Sequence, residues 1–262
     1  MDIIPLEILF PATVILIIIA IELGYRIGNS HTPQSKKENE KITLSNAASI
    51  LGMLGFILVF TFGIVYSRYD SKKALVREEA NIIRTVWQRS DFLPEPDRIE
   101  AEKLIKQYLD LRIEAVQSNE LENIQNDLKE SVRIQHLLWD MAAVNARKDM
   151  NSHVFTLYLE SLNDMTNQQA LRVAIGLQAR IPVFMWILLY VLVFLGMFGI
   201  GYQGAISFSG RRSWLTPIMI LSFSVIIILI ASLDRPQSRF IPVSQQPLVD
   251  LRTWMETGTG KQ

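Results

Sequence analysis

The chain has 262 residues, 49 % of them hydrophobic and 20 % charged, with 26 basic residues against 26 acidic ones. Zero net charge gives no reason to expect a nucleic-acid partner. The lack of cysteine excludes disulfides, thiolate metal sites and cysteine nucleophiles.

Charge and hydrophobicity are segregated. The stretch from Arg68 to Arg180 holds 16 of the basic and 18 of the acidic residues, and the apolar residues form two blocks around it. The chain starts MDIIPLEILF, with acidic Asp2 and Glu7 and no basic residue before Arg26. A secretory signal needs a positive start and a small-residue cleavage site, so this first apolar segment is expected to be retained.

A bilayer core about 30 Å thick needs roughly 20 apolar residues of helix. Ile3 to Leu23 is the first candidate span. Its strictly apolar part, Ile8 to Ile21, is short, and Glu7 and Pro11 leave a tilted or interfacial helix as the alternative. Ala47 to Tyr66 is a second span without a single charge. Ile181 to Tyr202 is a third, and Trp214 to Leu233 a fourth, bounded by Arg211 and Arg212 on one side and Asp234 and Arg235 on the other. Tyr66, Tyr69, Tyr202 and Trp214 fall where interfacial aromatic belts would place them. Trp186 and Tyr190, one turn apart, read as packing residues.

An even number of spans puts both termini on one side. With that side cytoplasmic, eight basic residues near span ends lie inside: Arg68, Lys72, Lys73, Arg77, Arg172, Arg180, Arg235 and Arg239. The reverse orientation places six inside: Arg26, Lys36, Lys37, Lys41, Arg211 and Arg212. The count favours cytoplasmic termini and a cytoplasmic middle region.

Between the second and third spans the apolar period is helical. A helix is expected to run on from the second span, since no Gly or Pro separates Tyr66 from Phe92. Leu93-Pro94-Glu95-Pro96-Asp97 is a break. Ile99 to Val116, Glu122 to Val144 and His153 to Ala179 read as further helices, the last two separated near Lys148 to Ser152. Asp234-Arg235-Pro236 ends the fourth span, and Leu248 to Met255 forms a short amphipathic helix suited to packing. The expected organisation is a first transmembrane pair (1–66), a helical cytoplasmic domain (67–180), a second transmembrane pair (181–233) and a polar tail (234–262). The fold class is an all-α integral membrane protein.

Catalytic patterns are missing. The histidines His31, His136 and His153 are scattered, and no HExxH, GxSxG or P-loop motif occurs. Glu78 and Glu79 point about 100° apart on a helix and cannot act as an acid/base pair. Glu160, Asn163 and Asp164 read as a solvated face. An enzyme is not expected, and neither is a cofactor or a metal.

In the second span Phe56, Phe60 and Ile64 recur at four-residue spacing, and Gly52, Gly55 and Gly63 are of the kind that lets helices approach closely. An aromatic stripe facing lipid or a neighbouring helix is one reading. The other is a hydrophobic constriction repeated around the axis of a ring of subunits, which gates ions by dewetting. Arg68, Asp70, Lys72 and Lys73 would then form charged rings at the mouth.

Several runs resemble the bacterial bestrophin-like membrane family. They are Leu54-Gly55-Phe56 through Phe60, Arg68-Tyr69-Asp70 and Val76-Arg77-Glu78-Glu79-Ala80-Asn81, then Leu93-Pro94, Tyr108 and Arg112. Arg180-Ile181-Pro182, Trp186, Leu233-Asp234-Arg235-Pro236 and Ile241-Pro242-Val243-Ser244 are similar to the family's second half. The resemblance marks Glu79, Asn81, Asp234 and Arg235 as motif residues. It implies a homo-oligomeric ring, five subunits favoured, in the bacterial inner membrane, with ions passing along its axis and lipid around it. It also implies that Phe56, Phe60 and Ile64 line the neck and that the helical domain forms a vestibule. The acidic cluster that binds calcium in the animal channels has no counterpart here. The alternative function is a membrane-anchored scaffold or sensor whose helical domain binds a protein partner.

Overall fold

The computed structural model describes residues 5–30, 33–117, 121–149, 152–178, 180–206, 215–235 and 241–258. Asp2, Ile3, His31, Ala179, Arg211, Arg212, Trp214, Pro236 and Arg239, named above, lie outside them. The described residues form eight α-helices and no strand: α1 (Leu6–Asn29), α2 (Pro33–Arg89), α3 (Asp97–Gln117), α4 (Leu121–Lys148), α5 (His153–Val173), α6 (Val183–Ile206), α7 (Leu215–Asp234) and α8 (Gln246–Glu256). Four of them, α1, α2, α6 and α7, contain stretches long and apolar enough to cross a membrane. The protein is an all-α multi-pass membrane protein.

Element ends differ from expectation for local reasons. α1 runs six residues past Leu23, where an i,i+4 pair between Arg26 and Glu22 at 3.0 Å supports the last turns. α2 begins at Pro33, well ahead of Ala47. Pro33 suits a first helical turn, and no Gly or Pro follows it before Gly52. The expected continuity beyond the second span holds, since α2 is one helix of 57 residues. α5 stops at Val173, and a π turn at Ala174–Gln178, containing Gly176, takes the remainder of the expected helix.

The chain divides into two compact units. Unit 1 comprises residues 1–69 and 180–241, and unit 2 comprises residues 70–179 and 242–262. The hydrophobic core of unit 1 includes Ile17, Ala20, Leu54, Leu58, Leu189, Val193, Met197, Ile227 and Ile230. Its tightest crossing joins α1 to α6. Gly24 and Gly28, four residues apart on α1, meet the α6 backbone at Phe198 and Tyr202, and Gly201 of α6 meets Ile21. A Cβ at Gly24 would overlap the Phe198 carbonyl oxygen, and one at Gly201 the Ile21 carbonyl oxygen. Backbones approach this closely only where both helices offer small residues. Gly52, Gly55 and Gly63 of α2 face open space instead. Higher along the crossing, the Thr13 and Tyr190 hydroxyls bond at 2.9 Å, satisfying two polar groups inside an apolar layer.

Unit 2 packs α2 (Val76, Ile83, Trp87), α3 (Leu104, Ile105, Tyr108, Leu109), α4 (Ile134, Leu138), α5 (Tyr158, Leu162, Met165) and α8 into one core. α8 buries Leu248, Leu251 and Met255, which share a face by helical spacing, and carries Pro247 in its first turn. It is held further by Arg252 to Asp110 at 3.5 Å and by Arg84 stacked 4.6 Å above the Trp254 ring. The short C-terminal helix is therefore a packing element, as its pattern suggested.

Candidate functional site

Within unit 1, α2 separates its residues by helical phase. Leu54, Leu58 and Val65 are buried, and Leu54 and Leu51 lie against Gly196 of α6. The opposite side stays open: Phe56 is 70 % exposed, Val59 72 % and Phe60 57 %. Ile64 is only half-buried, while Gly63 is exposed. Each four-residue step advances the azimuth by about 40°, so two steps carry Ile64 round toward the packed side. The open face runs through Phe56, Phe60, Gly63 and Ser67, with Ile64 on its shoulder.

The charged residues that follow do not act as one group. Arg68 turns inward within unit 1, its Nη1 3.7 Å from Asp234 Oδ1. That carboxylate also accepts the Ile181 N–H at 3.0 Å, and the Asp234 carbonyl accepts from Arg180 Nη1 at 2.9 Å. Asp234, 8 % exposed, thus ties the end of α7 to the residues that start α6. Arg235, beside it, is half-buried. In unit 2, Lys72 is buried at 8 % exposure, whereas Asp70 is exposed and pairs at 3.5 Å with the half-buried Lys73.

Unit 2 is centred on a buried ionic cluster. Glu79 is 1 % exposed, with Oε1 taking the Arg112 Nε–H at 2.7 Å and Oε2 paired with Arg172 Nη1. Arg172 donates its second nitrogen to Gln245 Oε1, just before α8. One carboxylate of α2 thereby holds α3, α5 and the entry to α8. Burial pushes the Arg172 guanidinium down to about 10 and that of Arg112 below its ordinary value. Both remain cations at neutral pH. Asn81, two residues beyond Glu79, is exposed. Around the cluster, Gln168 Nε2 donates to the Leu75 carbonyl at 2.9 Å, and Tyr108 donates to Gln169 Oε1 at 3.0 Å.

A family model described as a Bestrophin-like domain matches residues 15–248. The chain belongs to the Bestrophin-like family. Its fold is shared by solved structures of a bacterial bestrophin homologue from Klebsiella pneumoniae. One is 14 % identical, with a TM-score of 0.65, and covers 98 % of this chain and all of that one. A point variant of the same homologue is 15 % identical, again at a TM-score of 0.65, over 98 % of this chain and 99 % of that one. A further structure, described only as a membrane protein variant, is 16 % identical over 97 % of each chain, with a TM-score of 0.60. Among curated proteins, none matches.

In this Bestrophin-like chain, sequence reasoning missed the roles of Arg172 and Gln245. The signal was one-sided. Glu79 sits on the same helical face as Leu75, Val76, Ile83 and Val86, and a carboxylate on an apolar stripe demands a partner. Trp186 and Tyr190 fill the expected packing role, with ring centroids 6.4 Å apart. Glu160, Asn163, Asp164, His136 and His153 are all exposed.

Proposed function

We propose that this Bestrophin-like chain is one subunit of a closed ring, five subunits favoured, that conducts inorganic ions through a hydrophobic neck lined by α2. The observation that carries the reading is the open face of α2. In a helix that buries Leu54, Leu58 and Val65 on one side, Phe56 and Phe60 project from the other with Gly63 next in line. A ring of such faces narrows the path with apolar aromatics, where water, and with it ions, is easily expelled. Membership of a family with bacterial bestrophin homologues of the same fold supports it. On this reading Phe56 and Phe60 form the constriction and Ile64 flanks it, while Asp70 and Lys73 lie at the mouth. Arg68 serves mainly to anchor Asp234. Unit 2 forms the vestibule, the termini and unit 2 are cytoplasmic, and the chain resides among the lipids of a bacterial inner membrane.

Reconstitution into planar bilayers tests this. Phe60→Ala should raise single-channel current several-fold by widening and wetting the neck, while a current equal to wild type would remove Phe60 from the constriction. No flux from any preparation, together with a monomer by native mass measurement, would overturn the channel and favour an anchored scaffold.

A further inference from the structure

Unit 2 carries a groove between α4 and α5. On the side of α4 and α5 away from Ile134, Leu138, Tyr158 and Leu162, the two helices part to leave about 700 Å³, within the range of small-molecule sites. Leu128, Val132 and Trp139 of α4 and Val173 of α5 form apolar walls. Val132 and Trp139 are 42 % and 43 % exposed, so their apolar surface is accessible.

His136, Asn163 and Thr166 line the groove at its exposed rim, and two buried amides lie deeper. Gln135 and Gln169 are 7 % and 5 % exposed, and Gln135 Nε2 donates to Gln169 Oε1 at 2.8 Å. Tyr108, behind them, donates to the same oxygen at 3.0 Å. This network uses the amino group of Gln135 and the carbonyl of Gln169. Gln135 Oε1 and Gln169 Nε2 have no protein hydrogen bond among the described residues, and both side chains line the groove. One acceptor and one donor, nearly buried and half-used, is an arrangement that favours a matching edge. No Lys or Arg lines the groove, and its imidazole, His136, is exposed, so a carboxylate against the two amides would lose its water without gaining a buried counter-charge.

We propose that the α4–α5 groove binds a small, neutral, amphipathic molecule through a carboxamide edge. Its N–H donates to Gln135 Oε1, its carbonyl accepts from Gln169 Nε2, and its apolar body lies against Val132, Trp139 and Val173. A site built to satisfy both atoms rejects an isostere that lacks one of them far more strongly than an apolar slot would.

The test uses the purified full-length protein in detergent and needs no ion flux. Benzamide, acetophenone and benzoate are titrated while Trp139 emission is followed as the difference between wild type and Trp139→Phe. Benzamide should give a saturable change, with acetophenone and benzoate at least tenfold weaker. Gln169→Met, checked for an intact thermal transition, should weaken benzamide at least tenfold as well. Equal binding of benzamide and acetophenone would overturn the proposal, leaving an unselective apolar slot. So would no saturable change, the result expected if the groove holds only water or is covered by a second copy. The comparison of ligands stands even where the variant fails to fold.

Discussion

Single residues set the stability of unit 2. Replacing one member of a buried ion pair leaves the other charge without compensation, a loss of about 3–5 kcal/mol. Glu79→Gln strands two guanidinium groups at once, so it should fall in that range in thermal or denaturant unfolding. Tyr158 provides the contrast. Its hydroxyl is fully buried and has no hydrogen-bond partner among the described residues. Tyr158→Phe should therefore be neutral or stabilising by about 1 kcal/mol, and a clear loss of stability would mean that the hydroxyl is bonded. Burial also raises the hydroxyl pKa of both Tyr108 and Tyr158 above the ordinary 10.0. The folded protein then keeps two protons that the unfolded chain gives up above about pH 10. Their contribution to stability is complete below that pH and shrinks as pH rises through it. Ultraviolet titration of the 7 tyrosines should show at least two that ionise only as the protein unfolds. The place of Glu79 among Leu75, Val76 and Ile83 was readable from spacing alone. Arg172 was not, because a partner 93 residues along the chain leaves no mark on local periodicity.

Among the elements, the four spans were legible because lipid demands about 20 apolar residues and little else in the chain provides them. Which helices touch was not. The glycines of α2 suggested close approach there, yet the backbone contact joins Gly24 and Gly28 of α1 to α6, while Gly52, Gly55 and Gly63 stand open. Glycine permits an approach without specifying its partner. Gly24→Ala and Gly201→Ala should each cost about 3 kcal/mol or more, because the atom struck is a carbonyl oxygen that a rotamer change cannot move. Gly55→Ala, with nothing within 4 Å, should leave the unfolding midpoint in mixed detergent unchanged or raised. Equal losses at all three sites would contradict this packing. The aromatic stripe teaches a related lesson. Phe56, Phe60 and Ile64 align in a helix of four residues per turn, but at 3.6 the third drifts out of line and Gly63 takes its place.

For the whole molecule, composition separates apolar ends from a charged middle, and the compact units add that residues 242–262 group with residues 70–179. The break between them at Tyr69 and Asp70 lies inside one uninterrupted helix, a boundary that apolar runs alone place a few residues earlier, at Tyr66. Assembly is the property on which the channel reading turns. Native mass measurement in lipid-like detergent should give a closed oligomer, with five copies of the 29.9 kDa chain expected, and a mass of one chain would count against any axial pathway.

The α1–α6 crossing also bears on how the protein is made. Phe198 is synthesised 174 residues after Gly24. At about 5–20 residues per second, roughly ten to thirty-five seconds pass between the two. For that interval the first helix waits in the membrane with its glycine face unfilled, held by lipid or by the insertion machinery. Its final partner is made only after α2 to α5 have been synthesised.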